Sequence, residues 1–263
     1  MWYYLYRVDG FMLENEVSLF KKYVSDYNLN EESIENKYNH SLRVMNHSIM
    51  IAKSLRLDKD DVKLAGIIGL LHDIGRFYQW KTFHTYNDVN TIDHGNKGVE
   101  ILKIDNYIRK YLDDERQIEI LFNAVLNHNK ISINNNLDEK TILFCKIIRD
   151  ADKIDIMEYV LNNEIERGIM CSFDVEGFFK KRKLLKDNNV SNVVDAVIRM
   201  LGFIYDINTS YAVKYILNNH IIEKKIDLLS CHVDKDVDLE KIKIDLIEYL
   251  KKKWDELWQE EKK

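Results

Sequence analysis

The chain has 263 residues, 46% of them hydrophobic, with 39 Lys and Arg against 44 Asp and Glu for a formal net charge of −5. This length holds one domain, or one domain with an extension, and the small negative charge gives no bulk argument for a nucleic-acid partner. No apolar run reaches a membrane span, and Met1-Trp2-Tyr3-Tyr4 lacks the basic start of a signal peptide.

Cys145, Cys171 and Cys231 share no paired spacing, which fits a reducing cytoplasm and not a disulfide framework. There is no proline, so helices can run uninterrupted.

Residues 14–27 carry Val17, Phe20 and Val24 at helical spacing and predict an amphipathic helix. Residues 36–57 place Leu42, Met45, Ile49 and Ala52 on one face, with His40 close to it. Residues 60–72 are apolar all round and predict a central helix. Residues 77–93 lack periodicity, are rich in Thr, Asn, Asp, Tyr and His, and read as a loop or lid. A short helix over 95–103 turns Val99 and Leu102 inward. Strong helices follow at 115–127 and 138–161, with Asn134-Asn135-Asn136 as a surface loop between them. Further helices are predicted near 175–185, 190–207, 209–222 and 238–258, with a turn at Asp187-Asn188-Asn189. The expectation is an all-α protein with a core over 1–165, including an N-terminal helix. Residues 166–263 are then a dependent helical extension packing on that core.

The central helix ends in Leu70-Leu71-His72-Asp73-Ile74-Gly75-Arg76. Adjacent side chains on a helix point about 100° apart, so His72 and Asp73 do not both serve a packed core. Both can reach one metal if the helix ends there and the backbone turns at Gly75. Imidazole nitrogen with carboxylate oxygen suits iron, manganese, cobalt, nickel or zinc. Four more candidate ligands lie on or beside predicted helix ends or faces: His40, His94, His128 and Asp152. A lone histidine is more often a packing or surface residue, and His47, His84, His220 and His232 are read that way.

The order His40, His72-Asp73, His94, His128, Asp152 resembles the HD-domain superfamily of metal-dependent phosphohydrolases over residues 35–160. The two intervening histidines resemble the subset that holds two ions. The resemblance implies two divalent transition ions, Mn, Fe, Co, Ni or Zn. Asp73 would bridge them, because a carboxylate has two oxygens. His40, His72 and Asp152 would complete one site, and His94 and His128 the other. If the site holds a single ion, His94 and His128 face the substrate phosphate instead. Asp93 and Asp155 are candidates to orient histidines from behind. The family often has a basic group after the last aspartate, so Lys153 is a candidate cation for phosphate, against a salt bridge to Asp150 or Asp155. Arg76 is a second one, since guanidinium matches phosphate oxygens in bidentate fashion.

The family branch that cleaves cyclic diguanylate carries a Gly-Tyr-Pro element, which a chain without proline cannot hold. The implied function is hydrolysis of a phosphoester or phosphoanhydride, with nucleotides as the family's usual substrates. Two alternatives stay open: a mixed-valent di-iron oxygenase of the same fold, and a sensor module that binds metal without turnover. The expected partner is a small phosphorylated molecule, with no nucleic-acid scaffold and no membrane. Homo-oligomerisation is left open.

Overall fold

A computed structural model describes residues 13–159, 165–184 and 190–262. The described residues are mostly helical and contain no strand, so the protein is all-α as expected. No helix among them is long and apolar enough to cross a membrane. The chain divides into two compact units, residues 1–152 and 153–263.

The first unit begins with α1 (Glu14–Ser25), α2 (Glu32–Ser54) and α3 (Lys59–Leu71). The expected faces are buried: Phe20 and Val24 on α1, and Leu42, Met45, Ile49 and Ala52 on α2. Each of these side chains except Ala52 contributes about 1.5–3 kcal/mol when fully buried. Asp58 caps α3 by accepting from the Asp61 amide at 2.8 Å, a contact of about 1 kcal/mol. From Val62 onward α3 is buried all round except at Lys63, as a central helix must be. It lies close against α2: a Cβ on Gly69 would come within 2.8 Å of the Met45 Cα.

The His-Asp junction differs from its sequence reading. α3 stops at Leu71, Asp73 takes φ −104° and ψ 18°, and a new helix, α4 (Ile74–Phe83), starts at once. The expected loop over 77–93 therefore begins only at His84, in a left-handed conformation with φ 50°. The reason is Phe77, fully buried among Phe20, Tyr23 and Tyr27 at centroid distances of 5.7, 6.2 and 6.0 Å. That aromatic contact holds a segment whose periodicity is weak.

Gly75 is not the turn. It sits inside α4 because α5 (His94–Lys103) crosses there, and an added Cβ would lie 2.2 Å from the His94 carbonyl oxygen. Gly75→Ala is expected to push the start of α5 away and destabilise the protein by about 1–3 kcal/mol, the usual range for overpacking. Thermal unfolding of the variant measures this, and unchanged stability would refute the close approach. The unit is completed by α6 (Glu115–Asn127) and α7 (Glu139–Tyr159), the division between units falling inside α7 after Asp152.

The second unit holds α8 (Val175–Lys181), α9 (Val193–Gly202), α10 (Ser210–Asn218), α11 (Ile221–Leu229) and α12 (Leu239–Glu260). The helix expected over 175–185 ends at Lys181, and that over 190–207 ends at Gly202 in a 3-10 turn over 203–206. The helix expected over 209–222 breaks at His220, which is left-handed at φ 53°. α11 then starts afresh and buries Ile221, Ile222, Ile226 and Leu229. The Asp187-Asn188-Asn189 turn, the end of the helix expected to reach 161 and the last residue of that expected over 175–185 lie outside the described residues.

Candidate metal centre

Six helices, α2 to α7, bring the six ligand candidates together. His40 comes from the middle of α2, and His72 and Asp73 from the junction of α3 and α4. His94 is the first residue of α5, His128 caps the C-terminus of α6, and Asp152 lies on α7. His40, His72, Asp73, His94 and His128 are each at most 6% exposed.

Asp73 is the centre of the cluster. Its Oδ2 lies 3.5 Å from Nε2 of His40 and 3.5 Å from Nε2 of His72. Its Oδ1 lies 3.3 Å from Nε2 of His94 and 3.6 Å from Nε2 of His128. Asp152 Oδ1 closes the first group, 3.2 Å from His40 Nε2 and 3.6 Å from His72 Nε2. The side chains thus form two trios that share one carboxylate: His40, His72, Asp73 and Asp73, His94, His128.

The far side of the rings sets their tautomers. Nδ1 of His72 lies 2.8 Å from the Gly69 carbonyl, and Nδ1 of His128 lies 2.7 Å from the Val125 carbonyl. Nδ1 of His94 lies 2.5 Å from Asp88 Oδ2. Each acceptor takes a proton from Nδ1 and leaves the Nε2 lone pair facing inward, the usual support of a metal-binding histidine. Nε2 of His72 is then buried with no hydrogen-bond partner. Nε2 of His94 and Nε2 of His128 face each other at 2.9 Å. Two lone pairs opposed at that distance repel unless a cation lies between them. The donor set therefore fits a divalent transition metal.

Electrostatics agree. Burial alone would raise the Asp73 carboxyl, but interactions led by the Lys37 ammonium outweigh it and hold the group well below the usual range. Burial likewise opposes ionisation of Asp152, and contacts led by that with His40 overcome it. Burial, and then the charge of Arg76, push His94 down to about 4, so the ring stays neutral near pH 7. In the metal-free protein this carries a sign. The unfolded chain takes up its proton first, so stability falls as pH drops from about 6.5 toward 4, by up to about 3 kcal/mol. His94→Gln is expected to flatten that part of the profile in denaturant unfolding. An unchanged profile would assign the loss to another group.

Asp93 does not hold the His94 ring; it caps α5 by accepting from the Asn96 amide at 2.9 Å and pairs with Lys130. The ring is held by Asp88 instead, on the 84–93 segment. Asp88 Oδ1 also accepts from Arg76 Nη1 at 2.6 Å and from Gln79 Nε2 at 3.0 Å. Arg149 on α7 is 1% exposed and donates from Nη1 to the Asn127 and His128 carbonyls at 2.7 and 3.4 Å, fixing the end of α6. Arg76 Nε lies 3.6 Å from Asp73 Oδ1, so Arg76 borders the cluster. Lys153 is buried and its ammonium lies 2.6 Å from Asp206 Oδ2. Asp155 is fully buried. Lys37, which the sequence reading does not single out, lies 2.8 Å from Asp73 Oδ2. Its spacing of three from His40 on one helix was the available signal.

Residues 38–157 match the family model described as HD domain. No curated protein and no solved structure is detectably similar to the chain.

Proposed function

We propose, from the premise that residues 38–157 belong to the HD-domain superfamily, that this chain is a two-metal hydrolase of phosphoesters or phosphoanhydrides. The superfamily is one of metal-dependent, phosphohydrolase-type proteins, and the His-Asp cluster can hold metal. The observation that carries the finer reading is Asp73 itself, with one oxygen toward His40 and His72 and the other toward His94 and His128.

Divalent ions bound there would supply Lewis acidity, both to make a water reactive near neutral pH and to draw charge from a phosphoryl oxygen. The protein's part is preparation. Asp73 and Asp152 bring negative charge that stays ionised despite burial. The imidazoles of His72, His94 and His128 keep inward lone pairs because their outer nitrogens donate to fixed acceptors. Burial strengthens each electrostatic contact by keeping bulk water away. Lys153 is a cation proposed to lie near the phosphoryl charge, while Arg76 borders the cluster and is paired with Asp88. No serine or cysteine nucleophile is required.

The substrate class is a small phosphorylated molecule, with a nucleotide as the leading candidate. The same reading places the protein in the cytoplasm, without a nucleic-acid or membrane partner. The test is to purify the protein, measure bound metal, and screen phosphorylated metabolites with Mn, Co, Ni, Fe and Mg in turn. Metal-dependent release of inorganic phosphate supports the reading. Turnover that requires iron and oxygen would favour the oxygenase, and metal binding with no turnover under any condition would favour the sensor.

A further inference from the structure

Among the described residues two cationic side chains, Lys37 and Arg76, lie against Asp73, and they differ in freedom. Arg76 has its Nη1 within reach of three acceptors: Gln79 Oε1 at 2.7 Å, the Tyr86 carbonyl at 2.6 Å and Asp88 Oδ1 at 2.6 Å. Its charge is balanced by Asp88 and its position is fixed by α4 and the loop that follows. Among the described residues Lys37 has one anionic partner, Asp73 Oδ2, and it lies 5.4 Å from the Tyr86 ring centroid. Its side chain is 21% exposed where that of Asp73 is 4% exposed, so Lys37 reaches the cluster from the solvent side. The wall behind it is rigid: the Tyr86 hydroxyl donates to the Ser33 carbonyl at 2.8 Å, and its ring packs on Trp80 at 4.9 Å.

An ammonium carries three donors, and Asp73 accepts one. A carboxylate shared between divalent ions has little charge left for an ammonium. Lys37 would then hold an uncompensated positive charge and spare donors at the entrance to the centre. Lys37 also lies one residue before the segment that matches the family model, so this placement is not part of that match.

We propose that Lys37 grips the phosphoryl group of the substrate, and that Arg76 acts mainly to position Asp88 and the loop. This rests on the hydrolase reading above. A phosphoryl oxygen would replace Asp73 as the main acceptor of the Lys37 ammonium.

The test uses the metal-loaded protein and inorganic phosphate as probe, by titration calorimetry. Lys37→Ala and Lys37→Gln are expected to weaken phosphate binding by about 10- to 100-fold, the loss of one charge-assisted hydrogen bond. Lys37→Arg is expected to recover most of it, with metal content unchanged in all three. With a substrate in hand, KM should rise in Lys37→Ala more than kcat falls. Unchanged phosphate affinity in metal-replete Lys37→Ala overturns the proposal, because the ions alone then account for binding. Loss of metal in Lys37→Ala also overturns it, since Lys37 would then serve Asp73. A wild-type protein that binds metal but neither binds phosphate nor cleaves any phosphoester overturns the hydrolase reading as well, and the failure is visible without a variant.

Discussion

Asp73→Ala is expected to remove both ions and abolish turnover while the helical fold persists. Each oxygen of Asp73 faces a different pair of imidazoles, and among the described residues Asp73 is the carboxylate common to both groups. The substitution also leaves the Lys37 ammonium beside the site without its anion, which repels any entering cation. The loss of rate should exceed the roughly 100- to 1,000-fold that follows removal of one stabilising contact, because the ions themselves leave.

Lys153→Ala is the contrasting variant. It is expected to keep both ions and to slow turnover, because a second cation assists only the charge that develops on the phosphate. Its ion pair with Asp206 at 2.6 Å makes a lower melting temperature part of the expected result. Metal analysis by mass spectrometry, rates and circular dichroism on both variants decide the matter. Equal metal loss in the two would move Lys153 from the phosphate to the support of the metal centre.

The ligand candidates were legible because each stands where its residue type has little structural motive: a histidine and an aspartate closing a buried helix, a histidine opening α5, another ending apolar α6. Amphipathic periodicity gave α1, α2, α6 and α12 for the same reason that it buries one face of each, and α3 was legible because it is apolar all round. Asp88 was not legible. It lies in a segment without periodicity, and its role comes from Arg76 and Gln79 reaching out from α4 to fix it. α4 itself was missed because Phe77, and not a repeating apolar face, holds it down. Gly75 reads as a turn in sequence, yet it is needed for the approach of a helix almost twenty residues later. α11 was missed for a local reason: the backbone of His220 turns left-handed, and no glycine or proline marks the break.

The double variant His94→Ala/His128→Ala is expected to retain one ion where the wild type holds two. His40, His72, Asp152 and Oδ2 of Asp73 form a group that needs neither of the substituted residues. The other group rests on them entirely: among the described residues its only further member is Oδ1 of Asp73. Both residues are buried, His94 at 2% and His128 at 5% exposure. Buried polar groups ordinarily have partners, and the inward nitrogens of these two have only each other and Asp73. The Asp88 carboxylate behind one ring and a backbone carbonyl behind the other hold that confrontation in place. An arrangement so costly without a cation is best explained by one. Anomalous scattering from metal-replete wild-type crystals should therefore show two peaks flanking Asp73, and metal analysis of the double variant should fall to half. A single peak, with full metal content retained in the variant, would make the site mononuclear and turn His94 and His128 toward the substrate.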